Sequence, residues 1–150
     1  MIAKKHVVAV AVGACLLGLS APGSQKNLVE RPLKARIDLS VVLFLDADNV
    51  PVYAETSAWG QATHVGLCTS HAEGPPNLLE GVMTAANGDQ IFWVAYDQVE
   101  VHITGGTGRF EGAAGSWISI YPTELVFVPG PDPGTLVAEG PVLLEGTITY

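Results

Sequence analysis

From Leu33 to Leu45 every odd-numbered position is apolar: Leu33, Ala35, Ile37, Leu39, Val41, Leu43 and Leu45, with Lys34, Arg36, Asp38 and Ser40 alternating against them. Successive side chains of an extended chain point to opposite faces, so this period of two predicts a strand, or a bent pair of strands, with one face buried. Val42 and Phe44 make the far end apolar on both faces, which predicts a covered region there. A short strand is expected over 52–56, a turn over 57–60, and a strand over 61–71. That last strand carries Ala62, His64, Gly66, Cys68 and Ser70 on one face and Thr63, Val65, Leu67 and Thr69 on the other. The first face is small apart from His64, and small inward side chains leave space inside a barrel.

Residues 78–86 and 90–96 flank Asn87-Gly88-Asp89, a hairpin signal in which Asn-Gly supplies positive φ angles. Residues 91–96 (Ile-Phe-Trp-Val-Ala-Tyr) are apolar on both faces and predict a central strand. Val99, Val101 and Ile103 then alternate with Glu100, His102 and Thr104, and further strands are expected over 116–121, 125–128, 136–139 and 142–150. Turn signals fall at 72–77, 97–98 and in the proline-rich run 129–134. Asp46-Ala47-Asp48-Asn49 opens like a calcium loop but lacks its glycine and distal glutamate, so a turn built on Asx side chains is expected. No helical period occurs after the first two dozen residues. About eight closely spaced strands predict an all-β fold, an antiparallel sandwich or barrel.

Residues 103–115 (Ile-Thr-Gly-Gly-Thr-Gly-Arg-Phe-Glu-Gly-Ala-Ala-Gly) interrupt the alternation. Gly105, Gly106, Gly108, Gly112 and Gly115 require a sharp turn and close backbone approach. A nucleotide loop is not expected: the lysine of G-x-x-x-x-G-K-[ST] is missing, G-x-G-x-x-G spacing is not met, and a strand follows where a helix would be needed. The stretch reads as a corner between strands with Phe110 anchored in the core.

The first 24 residues have the organisation of a secretory signal, with Lys4, Lys5 and His6 before an apolar run over 7–19 and small residues at 20–24. The run is too short for a membrane span, which needs about 20 apolar residues. Val12-Gly13-Ala14-Cys15 is similar to a lipoprotein box. The apolar run continues past Cys15 through Leu16, Leu17 and Leu19, whereas such a box ends it, so a secreted or periplasmic protein is expected ahead of one anchored through Cys15. The expected organisation is a signal over 1–24, a flexible lead-in over 25–32 and a single domain over 33–150.

The chain's net charge of -8 becomes more negative if Lys4 and Lys5 leave with the signal, which leaves five basic residues against fifteen acidic ones. Such a surface repels phosphate backbones and anionic lipid, so nucleic-acid binding is not expected. Cys68 would then stand alone, a single thiol either buried and inert or facing a pocket. His64, His71 and His102 are isolated strand histidines, and no metal site or cofactor is expected from them. No G-x-S-x-G signature supports a hydrolytic triad. Trp59, Trp93 and Trp117, with Phe92, Tyr96 and Phe110, read as core and rim packing ahead of a carbohydrate platform.

Three segments carry a family resemblance. Residues 103–115 match an ITGGTGxFxGAxG signature, residues 63–68 (Thr-His-Val-Gly-Leu-Cys) a Gly-Leu-Cys strand, and residues 85–90 the adjoining hairpin. The chain thus resembles the allene oxide cyclase barrel family, a calycin-like group, and more distantly the dirigent proteins. The resemblance implies an eight-stranded antiparallel barrel with an apolar lumen, assembled as a homodimer or trimer. It also puts Cys68 on the cyclases' lumen-facing cysteine. Their carboxylate and amide pair is not matched: Asp38 has no neighbouring Asn, and Glu55 lies in a different segment.

Two functional readings follow. In one, an exported barrel binds a small apolar ligand or a protein partner. In the other, a cyclase or isomerase acts by confinement on a fatty-acid-derived or polyketide-like substrate. Cys68, His64, Tyr96 and Phe92 are the lumen candidates, and an open apolar cavity, as opposed to a lumen filled by aromatic side chains, would favour ligand binding or chemistry.

Overall fold

The computed structural model describes residues 28–97 and 99–150. The expected signal over 1–24, with Cys15, and the first residues of the lead-in lie outside the described residues. The described chain forms nine strands: β1 (Glu30–Leu45), β2 (Pro51–Ala62), β3 (Gly66–Gly74), β4 (Leu79–Ala85), β5 (Gln90–Ala95), β6 (Glu100–Gly106), β7 (Ala114–Ile120), β8 (Val128–Pro129) and β9 (Thr135–Thr149). Strands β1 to β7 pair antiparallel in chain order, β7 pairs with β9, and β9 returns to β1. This is a closed eight-stranded antiparallel barrel, with β8 a two-residue flap on β9.

The alternation in β1 has the structural meaning the sequence suggests. Leu33, Ala35, Ile37 and Val41 point inward and are buried, while Lys34, Arg36 and Asp38 face solvent. Closure extends the strand beyond its expected start at Leu33. Glu30, Arg31 and Pro32 pair with Thr149, Ile148 and Thr147, and the Arg31 guanidinium lies 5.0 Å from the Tyr150 ring centroid. Residues 30–32 of the expected lead-in are therefore part of the barrel.

Two other boundaries differ from the sequence pattern. Residues 57–60 do not turn but continue β2, and the turn comes at 63–65, where the Thr63 hydroxyl donates to the Pro32 carbonyl and accepts from the Lys34 N–H. Gly60 is a close-approach residue: a Cβ there would meet the Ile37 Cα at 2.7 Å. Residues 135–149 form one strand instead of two. Pro141 interrupts nothing because it lies beyond the last β7 partner, Ile120↔Leu143, where that edge of β9 has no partner to lose. The strand expected over 125–128 shrinks to β8. The Asx turn forms as expected, with Asp46 Oδ1 accepting the N–H groups of Asp48 and Val50. In the hairpin at 86–89, Gly88 alone takes positive φ.

The glycine-rich corner seals one end of the barrel. After β6 a single 3-10 turn, Gly108–Phe110, drops the Phe110 ring inside, where it is fully buried and meets Tyr150 edge to face at 5.1 Å. Gly106 is required here, since a Cβ would strike the Gln90 and Phe110 carbonyl oxygens. Arg109 fastens the corner to its neighbours, donating from Nη2 to the Val65 carbonyl at 2.9 Å and lying 3.5 Å from the Asp89 carboxylate. Leu33, Met83, Ile91 and Ile148 fill the rest of this half.

Replacing Phe110 by Ala removes the plug of a well-packed half-barrel. Urea unfolding of Phe110→Ala should show a loss of about 3–5 kcal/mol; a loss under 1 kcal/mol, as is usual for an exposed position, would mean that the corner does not anchor the core.

Candidate functional site

The half of the barrel away from the corner is not filled. An apolar cavity of about 520 Å3 opens at that end, walled by side chains from all eight strands of the barrel. Its space comes from small residues, Ala54 and Ala58 on β2, Ser70 on β3 and Ala95 on β5, where the packed half carries Met83, Ile91 and Phe110. Trp93 and Trp117 form its deep limit, meeting edge to face with centroids 5.9 Å apart. Gly81 on β4 makes room for Trp93, because a Cβ there would overlap the indole ring. The Trp93 Nε1 is buried and has no hydrogen-bond partner among the described residues.

The wall offers few polar groups. Thr56, Ser70 and Ser119 border the cavity, and Thr56 already donates weakly to the Ala72 carbonyl at 3.4 Å. The ionisable groups are concentrated at the mouth. Asp97, in the turn between β5 and β6, accepts the N–H groups of Glu100 at 2.9 Å and Val99 at 3.0 Å through Oδ1, and these bonds hold its carboxyl below the usual carboxylate range. Tyr121, Glu124 and Phe127 come from the segment between β7 and β8, which is positioned by Leu125 packing over Gly140. Burial pushes the Tyr121 hydroxyl up, so it stays neutral.

None of the four lumen candidates borders this cavity. Cys68 points inward but sits in the packed half, buried, with its thiol 3.8 Å from the Gly60 carbonyl. His64 stands exposed on the β2–β3 turn at φ +65°; the turn breaks the alternation that would have carried it inward. Phe92 and Tyr96 lie on the outer face, bordering a groove with Val82 and Val94, and Tyr96 stacks near His102 with ring centroids 5.9 Å apart. The inward residues of β5 are Ile91, Trp93 and Ala95. Period two could not choose between these two sets because both are apolar, and a bulge between β5 and β6 at Phe92/Trp93 shifts the register. His64, His71 and His102 do not converge, and among the described residues no group of three or more metal-ligating side chains forms.

The signal that could have found the site is the column of small residues at inward positions, read together with the acidic and aromatic residues of the two loops at the mouth. Set against protein-family models, curated proteins and solved structures, the chain gives no match.

Burial also raises the Cys68 thiol pKa, which lowers its thiolate fraction near neutral pH. Alkylation of Cys68, followed by peptide mapping, should run on the order of 100-fold slower in the native protein than in urea. Equal rates would place the thiol on an accessible surface.

Proposed function

We propose that this protein is an exported binding barrel that holds one small apolar molecule in the open half of its lumen. The observation that carries this reading is the cavity itself. Its volume of about 520 Å3 falls within the range of about 300–1,000 Å3 of small-molecule sites, and its walls are almost wholly apolar. An open lumen supports a ligand over the purely partner-binding alternative. Export rests on the signal pattern of the first 24 residues.

We further propose kinship with the allene oxide cyclase barrel family, on the strength of residues 103–115. The cyclase or isomerase reading draws on that resemblance alone. The deep wall has only hydroxyl groups at Thr56, Ser70 and Ser119, and its carboxylates, Asp97 and Glu124, stand at the mouth. General acid or base chemistry on a deeply seated substrate therefore has no charged group beside it, and binding is the reading favoured by the geometry.

Decan-1-ol, followed by calorimetry or by the fluorescence of Trp93 and Trp117, is a suitable neutral probe. Ala58→Leu fills the cavity from its wall and should weaken decanol binding by about tenfold or more, while stability changes little or rises by about 0.5–2 kcal/mol. Cys68→Ala should leave binding unchanged. Undiminished binding by Ala58→Leu would move the site out of the lumen.

A further inference from the structure

The basic side chains of the barrel lie toward one end of its axis, while acidic side chains occur at both. Among the described residues every Lys and Arg lies toward the sealed end: Arg31, Lys34 and Arg36 in the first half of β1, and Arg109 in the corner. Three of them are engaged there, Arg31 over Tyr150, Lys34 at 3.8 Å from Glu145, and Arg109 beside Asp89. The loops and strand ends at the other end carry Asp46, Asp48, Glu73, Asp97, Glu124 and Asp132. Asp97 and Glu124 border the cavity, and among the described residues no Lys, Arg or His does. Two aromatic side chains, Tyr121 and Phe127, border the same mouth and remain partly exposed.

We propose that the lumen selects an apolar molecule with a cationic head, an amine or quaternary ammonium, whose tail enters the cavity and whose charge rests at the mouth between Asp97, Glu124 and the rings of Tyr121 and Phe127. The inference rests on the reading of the lumen as a binding site and goes beyond it by naming the ligand's charge. An ammonium group at the mouth has two carboxylates and two aromatic side chains as neighbours, residue types that favour a cation. A carboxylate-headed molecule of equal chain length meets the same carboxylates and no cation. It must therefore lose hydration or stay outside. The backbone N–H groups that cap Asp97 favour its anionic form. The acidic mouth also raises the local concentration of cations before docking, an effect that salt weakens.

The test compares three probes of one chain length, decyltrimethylammonium, decan-1-ol and decanoate, below their micelle concentrations and at low salt, with calorimetry as the readout. The ammonium should bind about tenfold or more tightly than decanoate, with the alcohol between them, and the gap should narrow as salt rises. Asp97→Asn combined with Glu124→Gln should close most of the gap between the ammonium and decanoate, and Asn retains an oxygen to accept the two N–H groups that hold the turn. If the double variant folds poorly, Glu124→Gln alone, on an exposed loop, together with the salt series carries the comparison. Decanol binding with decanoate equal to or tighter than the ammonium would overturn the charge selection and leave the lumen reading standing. A preference that neither the variants nor salt alters would overturn the role of these carboxylates. Failure of all three probes to bind would remove both.

Discussion

Closure of β9 onto β1 is the contact on which the rest of this protein depends. The two longest strands pair from Glu30↔Thr149 to Phe44↔Thr135, and that ladder turns a sheet with two exposed edges into a barrel with none among its eight strands. Closure also defines an inside. Once it is made, Leu33, Ile37 and Val41 on one strand and Ala138, Val142 and Ile148 on its neighbour turn into a shared interior, and the alternation of each strand becomes a division between lumen and solvent. Without it, the same strands would present an apolar face to water along their whole length.

The interior so defined is treated differently at its two ends. At the sealed end the glycine-rich corner allows the chain to fold back tightly enough to insert Phe110, and large buried side chains occupy the space. At the other end the inward positions go to Ala54, Ala58, Ser70 and Ala95, and the barrel keeps its diameter without the side chains to fill it. Trp93 and Trp117 mark the boundary. The packed half supplies rigidity, and that rigidity keeps the empty half open: a lumen lined by small residues on a poorly anchored barrel would collapse.

The same axis organises charge. Among the described residues the basic side chains lie where the barrel is sealed, in company with Asp89, Glu111 and Glu145, whereas the loops around the opening carry acidic side chains and no Lys or Arg. Strongly acidic composition alone implies solubility and repulsion of polyanions. Sorted around a single apolar opening, it becomes a statement about which head group can rest there. The chemistry of recognition thus comes from where the strands end, with the apolar wall providing affinity that is indifferent to charge.

Much of the architecture was legible in the amino-acid order. The period of two in β1, the Asn-Gly hairpin, the Asx turn at Asp46 and the glycine corner with Phe110 are local patterns whose physical causes operate over a few residues, and each formed, the hairpin with positive φ at Gly88 alone. The site was less legible. Phe92 and Trp93 are both large and apolar, so only the pairing of β5 with β6 could decide which one faces the lumen. Gly60 reads as a turn until β1 is seen to approach it too closely for a Cβ. Cys68 has inward parity, but its depth along the axis is a matter of register, and register put it in the packed half. By itself the sequence determined that the chain is built of alternating strands with a tight, plugged corner, because period and turn chemistry are properties of neighbouring residues. The tertiary structure alone decided which half of the lumen stays open and which charges ring it, because depth and facing arise from pairings between residues far apart in the chain.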